Sequence, residues 1–207
     1  VGFILGQRYA NPRRQITFVA PEGFTITATR DHVMASGPNH STIIFEAARV
    51  KFSGTMLDYL TTLWARDLPL KECHSIEING MKSAIGWIRQ ETDRGHLQFQ
   101  LVAIRVDSEN IYRFLTVLPL AQNEVSAAQL HDAIYSFRRL KEEEVALLKP
   151  RRLRVIEIKI NDSLSNLVQR MAVSRAHSEQ FAILNGLENF DKATDLKPGK
   201  KVKLITK

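Results

Sequence analysis

Six histidines and one cysteine are the side chains best suited to metal or nucleophilic chemistry, and their spacing decides what they can do. His32, His40, His74, His96, His131 and His177 include no pair at i, i+4 and no His-Glu-x-x-His, the pattern that places two ligands and a base on one helix face. Cys73 and His74 are adjacent, but neighbouring residues of a strand point to opposite faces, so they make a poor thiolate–imidazole couple, and Cys73 reads as a core residue. No Gly-x-Ser-x-Gly elbow, no phosphate-binding glycine loop and no dinucleotide fingerprint occurs. Carboxylates are plentiful but unpaired by any motif. The residues expected to carry function are therefore binding residues, with no catalytic group, no metal site and no cofactor of the chain's own.

The elements that must position such residues are mostly strands over the first 120 positions. Phe24-Thr25-Ile26-Thr27-Ala28-Thr29 alternates apolar and hydroxyl side chains, which is the period of a half-buried strand. Ala20-Pro21-Glu22-Gly23 before it has turn chemistry and predicts residues 16–19 as its hairpin partner. Asn79-Gly80 between two apolar runs predicts a type I′ hairpin, and residues 96–106 and 111–118 predict two further strands across an Asp107-Ser108-Glu109-Asn110 turn. Leu57, Leu60, Leu63 and Trp64 share one face of a predicted helix. A second helix is announced by Ser126 and Gln129 at capping-box spacing, with Leu130, Ile134 and Phe137 on its buried side. Hairpins outnumber helices, so the expected class is α+β with an antiparallel sheet.

Charge divides the 207-residue chain. Residues 1–148 carry 16 Lys and Arg against 16 Asp and Glu, whereas residues 149–207 carry 13 against 6, so the whole net charge of +7 belongs to the tail. Two domains, 1–148 and 149–207, follow from this and from the stop at Lys149-Pro150 after the Glu142-Glu143-Glu144 helix start. The basic run Arg151, Arg152, Arg154 reads as a dock for an anion or, more simply, as a linker whose arginines pair with the preceding glutamates. Tail aromatics are confined to Phe181 and Phe190, outside any basic cluster, and no nucleic-acid partner is expected. No apolar run is long enough for a membrane-spanning helix. A start at Val1, with no leader pattern after it, suggests a processed or excised segment, and any targeting signal would lie upstream.

The tail has the order strand, helix, helix, strand. Asn161-Asp162-Ser163 turns and caps a helix with Leu164, Leu167, Val168 and Met171 on one face; a second helix ends at Asn185-Gly186, and Lys197-Pro198-Gly199-Lys200 turns into the last strand. Asn161-Asp162-Ser163-Leu164, Leu184-Asn185-Gly186-Leu187 and Leu196-Lys197-Pro198-Gly199-Lys200-Lys201-Val202-Lys203-Leu204 resemble the motifs of a LysM module over about residues 152–206. In that family the corresponding loops contact N-acetylglucosamine polymers, so the resemblance implies peptidoglycan binding by Asn161, Asp162, Ser163, Leu164, Gly186, Leu187 and Glu188. The same residues also read as structural, Asp162 and Ser163 as caps and Leu187 as core.

Phe18-Val-Ala-Pro-Glu-Gly-Phe24, Ile111-Tyr112-Arg113-Phe114, Ser136-Phe137-Arg138-Arg139-Leu140 and Lys149-Pro-Arg-Arg-Leu-Arg154 resemble, in order, the C-terminal region of bacterial zinc metallopeptidases of family forty-eight, relatives of the Ste and HtpX proteases. The first domain is also similar to PsbP-like α+β folds. The resemblance implies a non-catalytic accessory region of an exported zinc metalloendopeptidase of the periplasm or cell envelope, with zinc held only by the parent's catalytic domain. Its implied partners are peptidoglycan, other proteins and that catalytic domain. The alternative is a stand-alone peptidoglycan-binding module.

Overall fold

Strands dominate because β-branched and aromatic side chains alternate with polar ones along most of the chain. The computed structural model describes residues 2–48, 50–93, 95–120, 127–148, 152–173, 176–187 and 197–206, and the chain divides into two compact units, Val1–Val145 and Ala146–Lys207. The class is α+β, and every strand pairing is antiparallel.

In the larger unit, β1 (Phe3–Leu5), β2 (Arg8–Asn11) and β3 (Ile16–Val19) form a small sheet, which the later strand Arg138–Arg139 completes beside β3. Residues β4 (Thr25–Ala28), β5 (His32–Ser36), β6 (Thr42–Ala47), β7 (Lys71–Ile78), β8 (Met81–Thr92), β9 (Gly95–Arg105) and β10 (Ile111–Pro119) form a seven-stranded sheet in the order β4-β5-β6-β10-β9-β8-β7. The expected hairpin between residues 16–19 and 24–29 is therefore wrong. β3 pairs with β2 on one edge and Arg138–Arg139 on the other, so both edges are used, and Ile16, Thr17 and Phe18 are all buried in this central place. The turn in which Phe24 N–H donates to Pro21 O (3.2 Å) carries the chain from one sheet to the other.

Pleating gives the large sheet two buried faces. Val102 and Ile104 point to a core with Phe18, Phe45, Phe114 and Phe137, whereas Leu101 and Ala103 point to a second core under the helical segment 56–64. The four phenylalanines meet at ring-centroid distances of 5.1–5.6 Å for Phe18–Phe45, Phe18–Phe114, Phe45–Phe137 and Phe114–Phe137, several of them edge-on or tilted, as ring quadrupoles favour. Helix α1 (Met56–Asp58) starts with a reciprocal cap: Asp58 N–H donates to Thr55 Oγ1 (3.0 Å) and Thr55 N–H to Asp58 Oδ2 (3.1 Å). It then widens into a π-helical stretch, Tyr59–Trp64, closed by Ala65 N–H to Leu60 O (2.9 Å). That wider turn shifts the buried face to Met56, Tyr59 and Leu60, and Leu63, expected inward, is half exposed.

Asn79 (φ 48°) and Gly80 (φ 78°) make the β7–β8 turn with both central residues left-handed, as that dipeptide predicts. Helix α2 (Ala127–Tyr135) buries Leu130, Ala133 and Ile134; Ser126, the expected cap, lies outside the described residues. Strand β11 (Arg138–Arg139) precedes α3 (Glu142–Leu147). No helix among the described residues is long and apolar enough to cross a membrane.

The smaller unit pairs β12 (Arg152–Glu157) with β13 (Lys201–Thr206) and packs α4 (Leu164–Gln169) and α5 (His177–Asn185) around Leu167, Met171, Phe181 and Leu204. Gly186 (φ 64°) stops α5 and Gly199 (φ 89°) makes the turn into β13.

Candidate functional site

Two places collect side chains that could meet a ligand: the loops of the smaller unit and a groove in the larger one. In the smaller unit the loop after β12 is held by its own polar residues. Asp162 Oδ2 accepts from Lys159 N–H (2.9 Å), and its carboxylate lies 3.6 Å from the Arg170 guanidinium. Ser163 Oγ accepts from Asn166 N–H (3.2 Å) and caps α4. These two side chains are already engaged, and Leu164 and Leu187 are half-buried against the Phe181 core. Four of the seven expected contact residues thus have structural work. Asn161 and Gly186 are exposed, and Glu188 lies outside the described residues.

What this loop region presents outward was not anticipated. Ile160, next to Asn161, is 87% exposed, and Ile183 on α5 is 80% exposed, although both are aliphatic. Gly186 is exposed with open space on its Cβ side, while its N–H donates to Ile183 O (3.3 Å) to close α5. Aliphatic surface beside an amide side chain suits a neutral polar ligand with apolar faces. Asn185, quoted only as part of a motif, proves to be a bracket. Its Nδ2 donates to Phe181 O (2.9 Å) and Lys203 O (3.0 Å), and its Oδ1 accepts from Lys203 N–H (2.7 Å). The side chain pairs with β13 as another strand would and fixes the loop that follows α5.

In the larger unit a groove of about 1020 Å³ lies between the β2–β3 loop, the β4–β5 turn and the β9–β10 turn. Its floor holds Tyr9, Phe45 and Tyr112; its rim carries Arg13, Arg14 and Arg30. Burial raises the Tyr9 hydroxyl pKa, against opposing pulls from its hydrogen bond with Asn11 Nδ2 (3.2 Å) and from the nearby Arg14 charge. A smaller cavity of about 550 Å³ adjoins at Val106 and Asp107, and its arginines are structural. Arg105 Nη2 donates to Phe52 O (2.7 Å) and Gly54 O (2.8 Å), Arg139 to Val106 O, and Arg138 to Glu144.

The Cys73–His74 pair is placed on opposite sides of β7. Cys73 Sγ faces Gly86, whereas the His74 ring lies 5.4 Å from the Trp87 ring, one residue along β8. Burial raises the thiol pKa, and the residue is half-buried at the sheet edge rather than central. Among the described residues no three His, Cys, Asp or Glu side chains converge as a metal-binding group. Glu144 is taken up by Arg8 (2.6 Å) and Arg138 (2.7 Å); Arg152 and Arg154 lie exposed on β12, and Arg151 lies outside the described residues.

No protein-family model matches the chain, and no curated protein matches it. Several solved structures align with much of the chain. A Bacteroides thetaiotaomicron protein aligns with 88% of the chain at 10% identity and a TM-score of 0.48, and the chain spans 60% of that structure. Cyanobacterial PsbP (CyanoP) from Synechocystis aligns over 67% of this chain and 98% of its own, at 12% identity and a TM-score of 0.49. The Ran-binding protein Mog1p of Saccharomyces cerevisiae aligns over 68% and 98%, at 12% identity and a TM-score of 0.45. At 10–12% identity these alignments do not extend to activity.

Proposed function

We propose that this chain is a non-catalytic binding region of an exported zinc metalloendopeptidase, with a PsbP-like unit that contacts protein and a LysM-like unit that tethers to peptidoglycan. The observation that carries the tether is the exposed Ile160-Asn161 corner. Asp162 and Ser163 lock the loop from inside, which leaves an aliphatic side chain and an amide for a saccharide. Sugar rings have apolar faces edged by hydroxyl and amide groups, and such a surface complements both. The tail's excess of 13 Lys and Arg over 6 Asp and Glu favours an anionic envelope. Tethering raises the local concentration of an attached protease near envelope substrates without any new catalytic contact.

The test is co-sedimentation of the purified chain with peptidoglycan sacculi. Wild type is retained, and Ile160→Asp, a change at an exposed position, weakens retention about tenfold, the scale of one lost central contact. Equal retention of the variant, or none by wild type, overturns the tether. The protease link is tested separately by reading the coding sequence upstream of Val1 for His-Glu-x-x-His.

A further inference from the structure

The rim of the large groove carries cationic groups that the fold does not use. Arg13 and Arg14 stand at the tip of the β2–β3 loop, where Asn11 Oδ1 accepts from Arg14 N–H (3.1 Å), Gln15 is left-handed (φ 54°) and Gln15 O accepts from Leu140 N–H (2.8 Å). Arg30 stands at the tip of the β4–β5 turn, held by Thr29, whose N–H donates to His32 O (2.9 Å) and whose Oγ1 accepts from Asp31 N–H (3.3 Å) and His32 N–H (3.2 Å). Two tight, internally bonded turns therefore hold three guanidinium groups out over one concavity, so little backbone entropy is lost when a ligand meets them.

The carboxylates along the groove have partners of their own. Glu46 accepts from Arg113, which also lies 5.0 Å from the Trp64 ring centroid. Asp107 Oδ1 accepts from Glu109 N–H (2.9 Å), Asn110 N–H (2.9 Å) and Asn110 Nδ2 (2.8 Å). Asp31 also has a partner. No ion pair links Arg13, Arg14 or Arg30 to an acidic group among the described residues. A unit whose charges balance overall thus carries a local cationic rim.

From this geometry we infer that the groove is a docking site for an acidic, extended peptide segment. Arginine pairs with carboxylates through parallel N–H donors, and Arg13, Arg14 and Arg30 offer three such groups from two loops along one groove. Single-stranded nucleic acid fits less well. Tyr9, Phe45 and Tyr112 are 3–5% exposed, and their ring faces are used internally, with Phe45 stacked on Tyr112 at 5.5 Å, so no open ring remains for a base. The inference deepens the proposed protein-contacting role of the larger unit and is independent of the tail.

The experiment is fluorescence anisotropy of the full chain with a labelled decapeptide of alternating Glu and Leu, beside a Gln–Leu decapeptide and a dT10 oligonucleotide. Binding of the acidic peptide that weakens steeply with salt is expected, with the Gln–Leu peptide at least tenfold weaker. Arg13→Ala/Arg14→Ala/Arg30→Ala should lose at least tenfold in affinity with an unchanged thermal midpoint, since all three side chains are exposed. Arg152→Ala/Arg154→Ala removes charge from the tail and should bind as wild type. Equal binding by the triple variant, an equal loss in the tail variant, tighter binding of dT10, or no binding of the acidic peptide each overturns the inference. Retention on sacculi is read on other residues, so failure here leaves the tether standing and its failure leaves the groove standing.

Discussion

Glu144 sits where three donors converge. The Arg138 guanidinium is the strongest influence, followed by Lys141 N–H (2.9 Å) and Arg8 (2.6 Å), and together they hold its carboxyl far below the ordinary carboxylate range. A depressed folded-state pKa means that the unfolded chain takes up this proton first. Its stabilisation is complete above the unfolded value near 4.5 and declines as pH falls towards the folded value. Glu144→Gln should therefore lower the thermal midpoint at pH 7, and the gap to wild type should close on acidification to pH 2; a gap constant with pH would contradict this. Asn185 offers a second test at this scale. Asn185→Ala strips three hydrogen bonds from the α5–β13 junction and should cost about 1–3 kcal/mol in chemical denaturation of the smaller unit. Asn185→Asp keeps the acceptor but sets a carboxylate oxygen against the Phe181 and Lys203 carbonyls, and should cost at least as much. Neither role could be read beforehand: Glu144 is one of three consecutive glutamates, and only the approach of β2 and β11 singles it out.

At the scale of elements, local turn chemistry was dependable and strand partnership was not. Asn79-Gly80 specified its hairpin, and Asn79 Nδ2 further donates to Tyr135 O and Phe137 O (2.8 Å each), tying that hairpin to the end of α2. Asn79→Ala should destabilise the larger unit by about 1–2 kcal/mol, through the lost bonds and a less favourable left-handed residue, and Asn79→Gly by less than the sum of both effects. The Pro21–Gly23 turn looked equally decisive, yet β3 and β4 separate into two sheets, because a turn sets a local reversal of direction while burial sets the partner. Helical periodicity failed at Leu63 for a similar reason. Thr61 Oγ1 and Thr62 Oγ1 donate to Leu57 O (2.8 Å) and Asp58 O (2.6 Å), and the backbone widens to a π turn around them.

Across the whole molecule, each unit owns its core: two clusters on either side of the large sheet in one, and the Phe181 cluster in the other. Phe137 is fully buried between Phe45, Tyr112 and Phe114, and Phe137→Ala should cost about 3–5 kcal/mol and lower the larger unit's transition while leaving far-UV signal from the smaller unit to melt at its usual temperature. A single transition shifted as one would show that the units unfold together.

Composition, periodicity and turn residues by themselves determined the α+β class, the Asn79-Gly80 and Asp107–Asn110 reversals, the charge division and the helix and strand order of the tail, because each depends on residues close together in the chain. The partner of β3, the π turn, the Asn185 bracket and the cationic rim were decided only in three dimensions. Arg13, Arg14 and Arg30 come from loops separated in sequence, and net neutrality over residues 1–148 conceals them. Charge adds along a sequence without regard to place, whereas a ligand meets only the charges that folding leaves side by side and unpaired.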